Sequence, residues 1–292
     1  MKISTQTSHV VGRLGWEEGI KLLCDAGYDT LDLSLFEMSR DDSPFNGEGW
    51  REHTAWIRKL ANDRGVEFNQ AHAPFVFKWG DQEIWDKVAQ PRVLRSVEIA
   101  ALAGAHTIIV HPIHHLPYPG HEEEMHAMNV KYYQDFIPLC QKYGIKVAVE
   151  NMWQTDPIRK YIVDDVGSRG ATLARLVDDL NAIVPGCFTA CLDVGHSVLV
   201  GEETQDAIRV LGGDRLGALH VHDNNYIHDQ HTLPGLGRMN WPEITAALKE
   251  IGYRGEFTYE ADAFLKGFTT DVLPLAVKFM VDIARHWAAK CE

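Results

Sequence analysis

Along this chain, short runs of apolar and β-branched residues alternate with longer stretches in which apolar positions recur every three or four residues. The runs are Lys2–Gln6, Thr30–Leu35, Val66–Ala71, His106–Val110, Lys146–Val149, Phe188–Leu192, Leu216–Val221 and Glu256–Tyr259. Several lack the alternation of a half-exposed strand, as strands buried on both faces do. Helical periodicity covers Trp16–Ala26, Trp50–Arg64, Ile84–Ala103, Glu122–Tyr143, Leu173–Ile183, Thr204–Leu211, Trp241–Ile251 and Thr270–Ala289. Many of these stretches stop at a glycine, as in Ala26-Gly27, Ala103-Gly104 and Tyr143-Gly144, where the left-handed end of a helix costs no side-chain clash. Eight strand–helix units follow one another without a break in composition. That is the count of an α/β (β/α)8 barrel, a TIM barrel, folded as one domain over residues 1–292. An open doubly wound sheet is the competing architecture, but no Gly-rich dinucleotide turn follows the first run.

The same runs carry the candidate chemistry, because six of them stop at a group able to bind metal. The endings are Ala71-His72, Val110-His111, Val149-Glu150, Leu192-Asp193, Leu219-His220 and Tyr259-Glu260. Parallel strands bring their C-terminal ends to one face, so these residues are expected to converge. The long connections His111–Gly120, Asn151–Gly170 and Asp223–Asn240 fall on that face too. Two Glu, one Asp and one His, at Glu150, Asp193, His220 and Glu260, suit a hard or borderline divalent cation such as Mn²⁺, Mg²⁺, Co²⁺ or Zn²⁺. Buried carboxylates need partners. The plainer alternative is that each one pairs with its own Arg or Lys.

Composition narrows the class of protein. Apolar residues make up 45% of the 292, enough for a large core, and no apolar run approaches a membrane span. Asp and Glu number 41 against 28 Lys and Arg, a formal charge of −13, which disfavours nucleic acid and anionic membranes as partners. Five cysteines without a CxxC are expected to be reduced fillers, and a cytoplasmic protein is the default. The His114-His115 pair is left open between a site and a loop role, while Glu122, Glu123 and Glu124 read as helix-start charges. Among Phe36, Phe75, Phe77, Trp79, Tyr118, Trp153 and Tyr226, about half are expected to shape a pocket wall. The turn Gly235-Leu-Gly237-Arg238 has no basic cluster beside it, so a phosphate is not favoured there.

Leu216-Gly-Ala-Leu-His220, Leu233-Pro-Gly-Leu-Gly-Arg-Met-Asn-Trp241, Val149-Glu150-Asn151 and Leu192-Asp193-Val-Gly-His196 resemble the xylose isomerase-like barrel superfamily. It includes ketose 3-epimerases, sugar-phosphate isomerases, inosose dehydratases and zinc apurinic-site endonucleases. The resemblance runs from the first strand to the last. It implies that Glu150 and Glu260 both ligate metal and move protons, and that His196 touches substrate. Asp156 stands where the epimerases carry a substrate-binding Glu, and Tyr226 replaces their arginine. Trp153 and His222 are further expected substrate contacts. His72, His111, His196, Asp229 and His231 fall where the endonucleases place the remaining ligands of a three-metal cluster; sugar isomerase-like relatives retain part of this set, and there His72 and His111 are expected to hydrogen-bond sugar hydroxyls.

The expected function is a metal-dependent isomerase or epimerase of a sugar or polyol, phosphorylated or not, working by proton transfer through an enediolate-like intermediate. The competing readings are an apurinic-site phosphodiesterase, an inosose dehydratase-type lyase and a non-catalytic carbohydrate-binding subunit. The expected partner is the small-molecule sugar or polyol; a homo-oligomer is compatible with the sequence.

Overall fold

The computed structural model describes residues 1–75 and 80–292; the expected pocket aromatics Phe77 and Trp79 lie outside the described residues. Among the described residues ten strands form in chain order: β1 Ile3–Thr5, β2 Thr30–Ser34, β3 Glu67–His72, β4 Thr107–Val110, β5 Lys146–Glu150, β6 Trp153–Thr155, β7 Ile162–Asp164, β8 Phe188–Asp193, β9 Leu216–His220 and β10 Phe257–Tyr259. Strands β2-β3-β4-β5-β8-β9 make one parallel sheet, and β1 pairs in parallel with β10. The backbone N–H of Thr7 donates to Asp32 (3.0 Å), Gln6 to Tyr259 (3.0 Å) and Val221 to Thr258 (2.8 Å), which closes the eight strands into a barrel. Among the described residues the two remaining strands, β6 and β7, pair only with each other, as an antiparallel hairpin that follows the C-terminal end of β5.

Register explains why the site residues meet. Ile109, Ala148, Cys191 and Ala218 form a small buried cluster of their own. Side chains two residues apart share a face of a strand. The next inward positions are therefore His111, Glu150, Asp193 and His220, all at the barrel mouth. The opposite wall is polar: Gln70 donates from Nε2 to Asp32 Oδ2 (2.7 Å), and the Thr258 hydroxyl donates to Gln70 Oε1 (3.3 Å). The large apolar core lies outside the strands, beneath the helices.

The helices depart from the sequence pattern in instructive places. The first begins at Ser8, earlier than its apolar periodicity, and breaks at Gly15, where φ is 77°. The expected helix Glu122–Tyr143 is two helices, Glu122–Gln134 and Ile137–Tyr143. Pro138 is the cause, since it donates no N–H and fits only a first turn. A short helix at Val194–Leu199, directly after β8, carried no sequence signal. No helix among the described residues is long and apolar enough to cross a membrane.

Candidate active site

Glu150 is the hub of the barrel mouth. Its Oε1 accepts from His220 Nδ1 at 2.8 Å, and His220 Nδ1 lies 3.0 Å from Glu260 Oε2. Its Oε2 lies 2.8 Å from His111 Nε2 and 3.5 Å from His72 Nε2. Asp193 sits beside them and caps the short helix, accepting from the N–H groups of Gly195 and His196 at 2.9 Å. His222, fully buried, donates from Nε2 to the Asp193 oxygens at 2.8 and 3.0 Å. Gly195 permits that approach, because a Cβ there would stand 2.1 Å from His222 Cε1.

A second tier comes from loops. Asp229 lies between His196 Nε2 (3.3 Å) and His231 Nε2 (3.1 Å), and the His231 ring stacks on His222 at 4.0 Å. This loop is shaped by the buried Asp223. Its carboxylate accepts from the N–H groups of Asn224, Gly235 and Met239 and from Trp241 Nε1, all at 2.8–3.1 Å.

Among the described residues, charge in the site is set mainly by carboxylates and imidazoles. Burial opposes ionisation of Glu150, yet the His220 ring holds its carboxyl well below the ordinary range; Glu260 is lowered in the same way. Burial also opposes a charged His196 and His231. Asp193 for the first, and Asp229 with Glu260 for the second, nevertheless raise both to about 10. Burial dominates at His111 and lowers it. Among the described residues, the ion-pair partners of Glu150, Asp193, Asp229 and Glu260 are all histidines, so the alternative of separate Arg or Lys partners is not what the fold contains.

These residues fit a divalent cation on three counts. Donor atoms of Glu150, Asp193, His220 and Glu260 all lie within 4.8 Å of one another, as do those of His72, Glu150 and His220 and those of Asp193, His196, His222 and His231. Asp229 Oδ1 is buried without a hydrogen-bond partner among the described residues, which is costly for a polar atom left unfilled. And His72, His196 and His231 each donate Nδ1–H to a backbone carbonyl, of Ala73, Asn151 and Glu260, at 2.7–2.8 Å. That bond fixes the ring and presents Nε2, the arrangement of a ligating histidine.

A cavity of about 600 Å³ opens over this ring. Glu150, Glu260, His111, His196, Asp229, His231 and Trp153 line it. Asp193 and His220 lie beneath it, and His72 is buried behind His111. His222 is sealed under Asp193, with no path to a substrate. Asp156 is not brought to the cavity: its carboxylate accepts from the backbone of Ile158 and Arg159 and caps the hairpin turn. Sequence reasoning passed over Asp32, whose buried carboxylate lies 3.9 Å from His220 Nε2, and Asn151, whose side chain bonds both backbone polar groups of Asp193. The adjacency of Asn151 to Glu150 was the one signal available for it.

Comparison with known proteins places this geometry in a family. An uncharacterized protein of Methanocaldococcus jannaschii is 27% identical over 169 residues, 56% of this chain and 54% of that protein. The matches to the first curated relatives span little more than half of those proteins' length. Among solved structures, a D-allulose 3-epimerase from Methylomonas in complex with D-allulose superposes with a TM-score of 0.72 at 17% identity, covering 100% of this chain and 97% of that one. The IolI protein with a bound zinc atom gives 0.71 at 15%, covering 100% and 98%. Likeness at such identity shows a shared fold. The model of the xylose isomerase-like TIM barrel matches residues 20–269, a span that begins before β2 and ends after β10, and the chain therefore belongs to that family.

Proposed function

We propose that this protein is a metal-dependent isomerase or epimerase acting on a sugar or polyol. The observation that carries the reading is the pair Glu150 and Glu260: both line the cavity, both are held ionised, and both reach the same His220 nitrogen within 3.0 Å. Glu150, Asp193, His220 and Glu260 would hold the cation. When bound, a divalent ion would polarise a substrate carbonyl and its neighbouring hydroxyl, making the adjacent C–H acidic. One glutamate takes that proton and the other returns it. A carboxylate of lowered pKa is a weak base, so positioning supplies much of the rate. His196 and His231, pinned through Nδ1, donate to or accept from sugar hydroxyls, and Trp153 offers a ring face to the C–H side of the sugar. The solved relatives support the reading, since one holds D-allulose and another a zinc atom. Metal-loaded protein incubated in D₂O with ketoses, aldoses and inososes, followed by NMR, tests it. Deuterium at the carbon beside the carbonyl is expected, loss of water from an inosose would turn the reading to a lyase, and no exchange across the panel would sink it.

A second reading, hydrolysis of abasic DNA, rests on the gathering of His72, His111, His196, Asp229 and His231 around the first set. The charge of −13 opposes it. Strand cleavage at an abasic site by the metal-loaded protein would promote it.

A further inference from the structure

The cavity has an inner and an outer half. The inner half is the ring of carboxylates and imidazoles. The outer half is walled by the loop after β4 and by the hairpin β6–β7, and Gln154 fastens one wall to the other. Its Nε2 donates to the Leu116 carbonyl at 2.9 Å, and its Oε1 accepts from the Tyr118 N–H at 3.0 Å. His114 stands on this wall with Nδ1 paired to Asp165, a carboxylate fully out of solvent that also accepts from the Val166 N–H at 2.7 Å. A buried charge spent in this way fixes a half-exposed ring and leaves its Nε2 for the cavity. Phe75, Leu116, Trp153 and Pro157 give the rest of the outer half an apolar surface, and no Lys or Arg lines the cavity among the described residues.

Two consequences follow from size and charge. At about 600 Å³ the cavity lies well above the roughly 300 Å³ at which small-molecule pockets begin, more than one six-carbon sugar seated on the inner ring would fill. Among the described residues, a phosphoryl group there would find no guanidinium or ammonium partner. Resting on the sugar isomerase or epimerase reading above, we propose that the outer half is a subsite for a second, uncharged ring joined to the reacting sugar. The substrate class is then a neutral glycoside or disaccharide, with the second ring's C–H face against Trp153 and Leu116 and one of its hydroxyls on His114.

Calorimetric titration of the full, Mn²⁺-loaded chain with D-fructose, fructose 6-phosphate and two glucosyl-fructoses, isomaltulose and turanose, tests this. At least one disaccharide is expected to bind about tenfold or more tighter than fructose, the gain of burying roughly one ring face, and the phosphate no tighter than fructose. Leu116→Trp and Pro157→Trp each fill the outer half. In whichever variant keeps the wild-type circular dichroism, the disaccharide-to-fructose ratio should fall toward one. Equal affinity for fructose and both disaccharides, tightest binding of fructose 6-phosphate, or no binding of any of the four overturns the subsite. Disaccharide preference without deuterium exchange keeps the subsite and removes the catalytic reading; exchange on fructose without disaccharide preference does the reverse.

Discussion

His222 Nε2 lies 2.8 and 3.0 Å from the two oxygens of Asp193, and neither side chain has any exposure. The imidazole orients a carboxylate that already serves as a helix cap, and Gly195 is the residue whose missing side chain makes room for it. Gly195→Ala should push His222 off Asp193 and weaken metal binding about 10- to 100-fold, the usual effect of losing an orienting partner. His222→Ala should do the same. Competition with a fluorescent chelator measures both; unchanged affinity in the two variants would show that Asp193 needs no such support.

Removing ligands rather than their support is expected to be more severe. The double variant Asp193→Ala, His220→Ala, stripped with chelator and reloaded, should retain no metal above background by elemental analysis. Full occupancy in that variant would refute the four-residue set.

Glu150→Gln and Glu260→Gln keep the shape and an oxygen donor while removing the base. Each should lower solvent deuterium exchange about 10²- to 10⁴-fold, the range for loss of a positioned acid–base group, with thermal stability retained. Undiminished turnover in both variants would leave the two-glutamate mechanism without a base.

The fold also stores a pH-dependent cost beside the site. Burial pushes the Asp262 carboxyl up to about 7, and the Ser8 hydroxyl, donating at 2.8 Å, only partly opposes it. The folded state thus holds a proton that the unfolded chain has released above its ordinary pKa of about 4. Stability from this group is complete below about pH 4 and lost as pH rises to about 7. In metal-free protein, the melting temperature of Asp262→Asn relative to wild type should climb between pH 5 and pH 8. A difference that stays flat over that interval would contradict the burial argument.

The barrel could be read from the chain because buried parallel strands are continuous apolar runs and because glycines stop the helices between them. The cluster Glu150, Asp193, His220 and Glu260 could be read for a related reason: a period of two and a closed sheet send strand ends to one place. Asp229 and His231 had no such pattern, and only the resemblance pointed to them. Asp32 escaped notice because a single carboxylate inside the run Thr30–Leu35 looks like an interruption, and its partner Gln70 is distant in sequence. The hairpin escaped because each of its strands has three residues, too few to show a period. Asp156 was an expected substrate contact only through the resemblance, and the hairpin turn claims its carboxylate instead.

Among the described residues the hairpin β6–β7 pairs with no barrel strand, and Gln154 ties it to the loop after β4. The segment from Trp153 to Asp164 is in effect a cassette carried on the rim. Its length and sequence can change without shifting the register of the donors at the strand ends. What surrounds the mouth of the barrel and what stands at its floor are thereby set by different stretches of the chain.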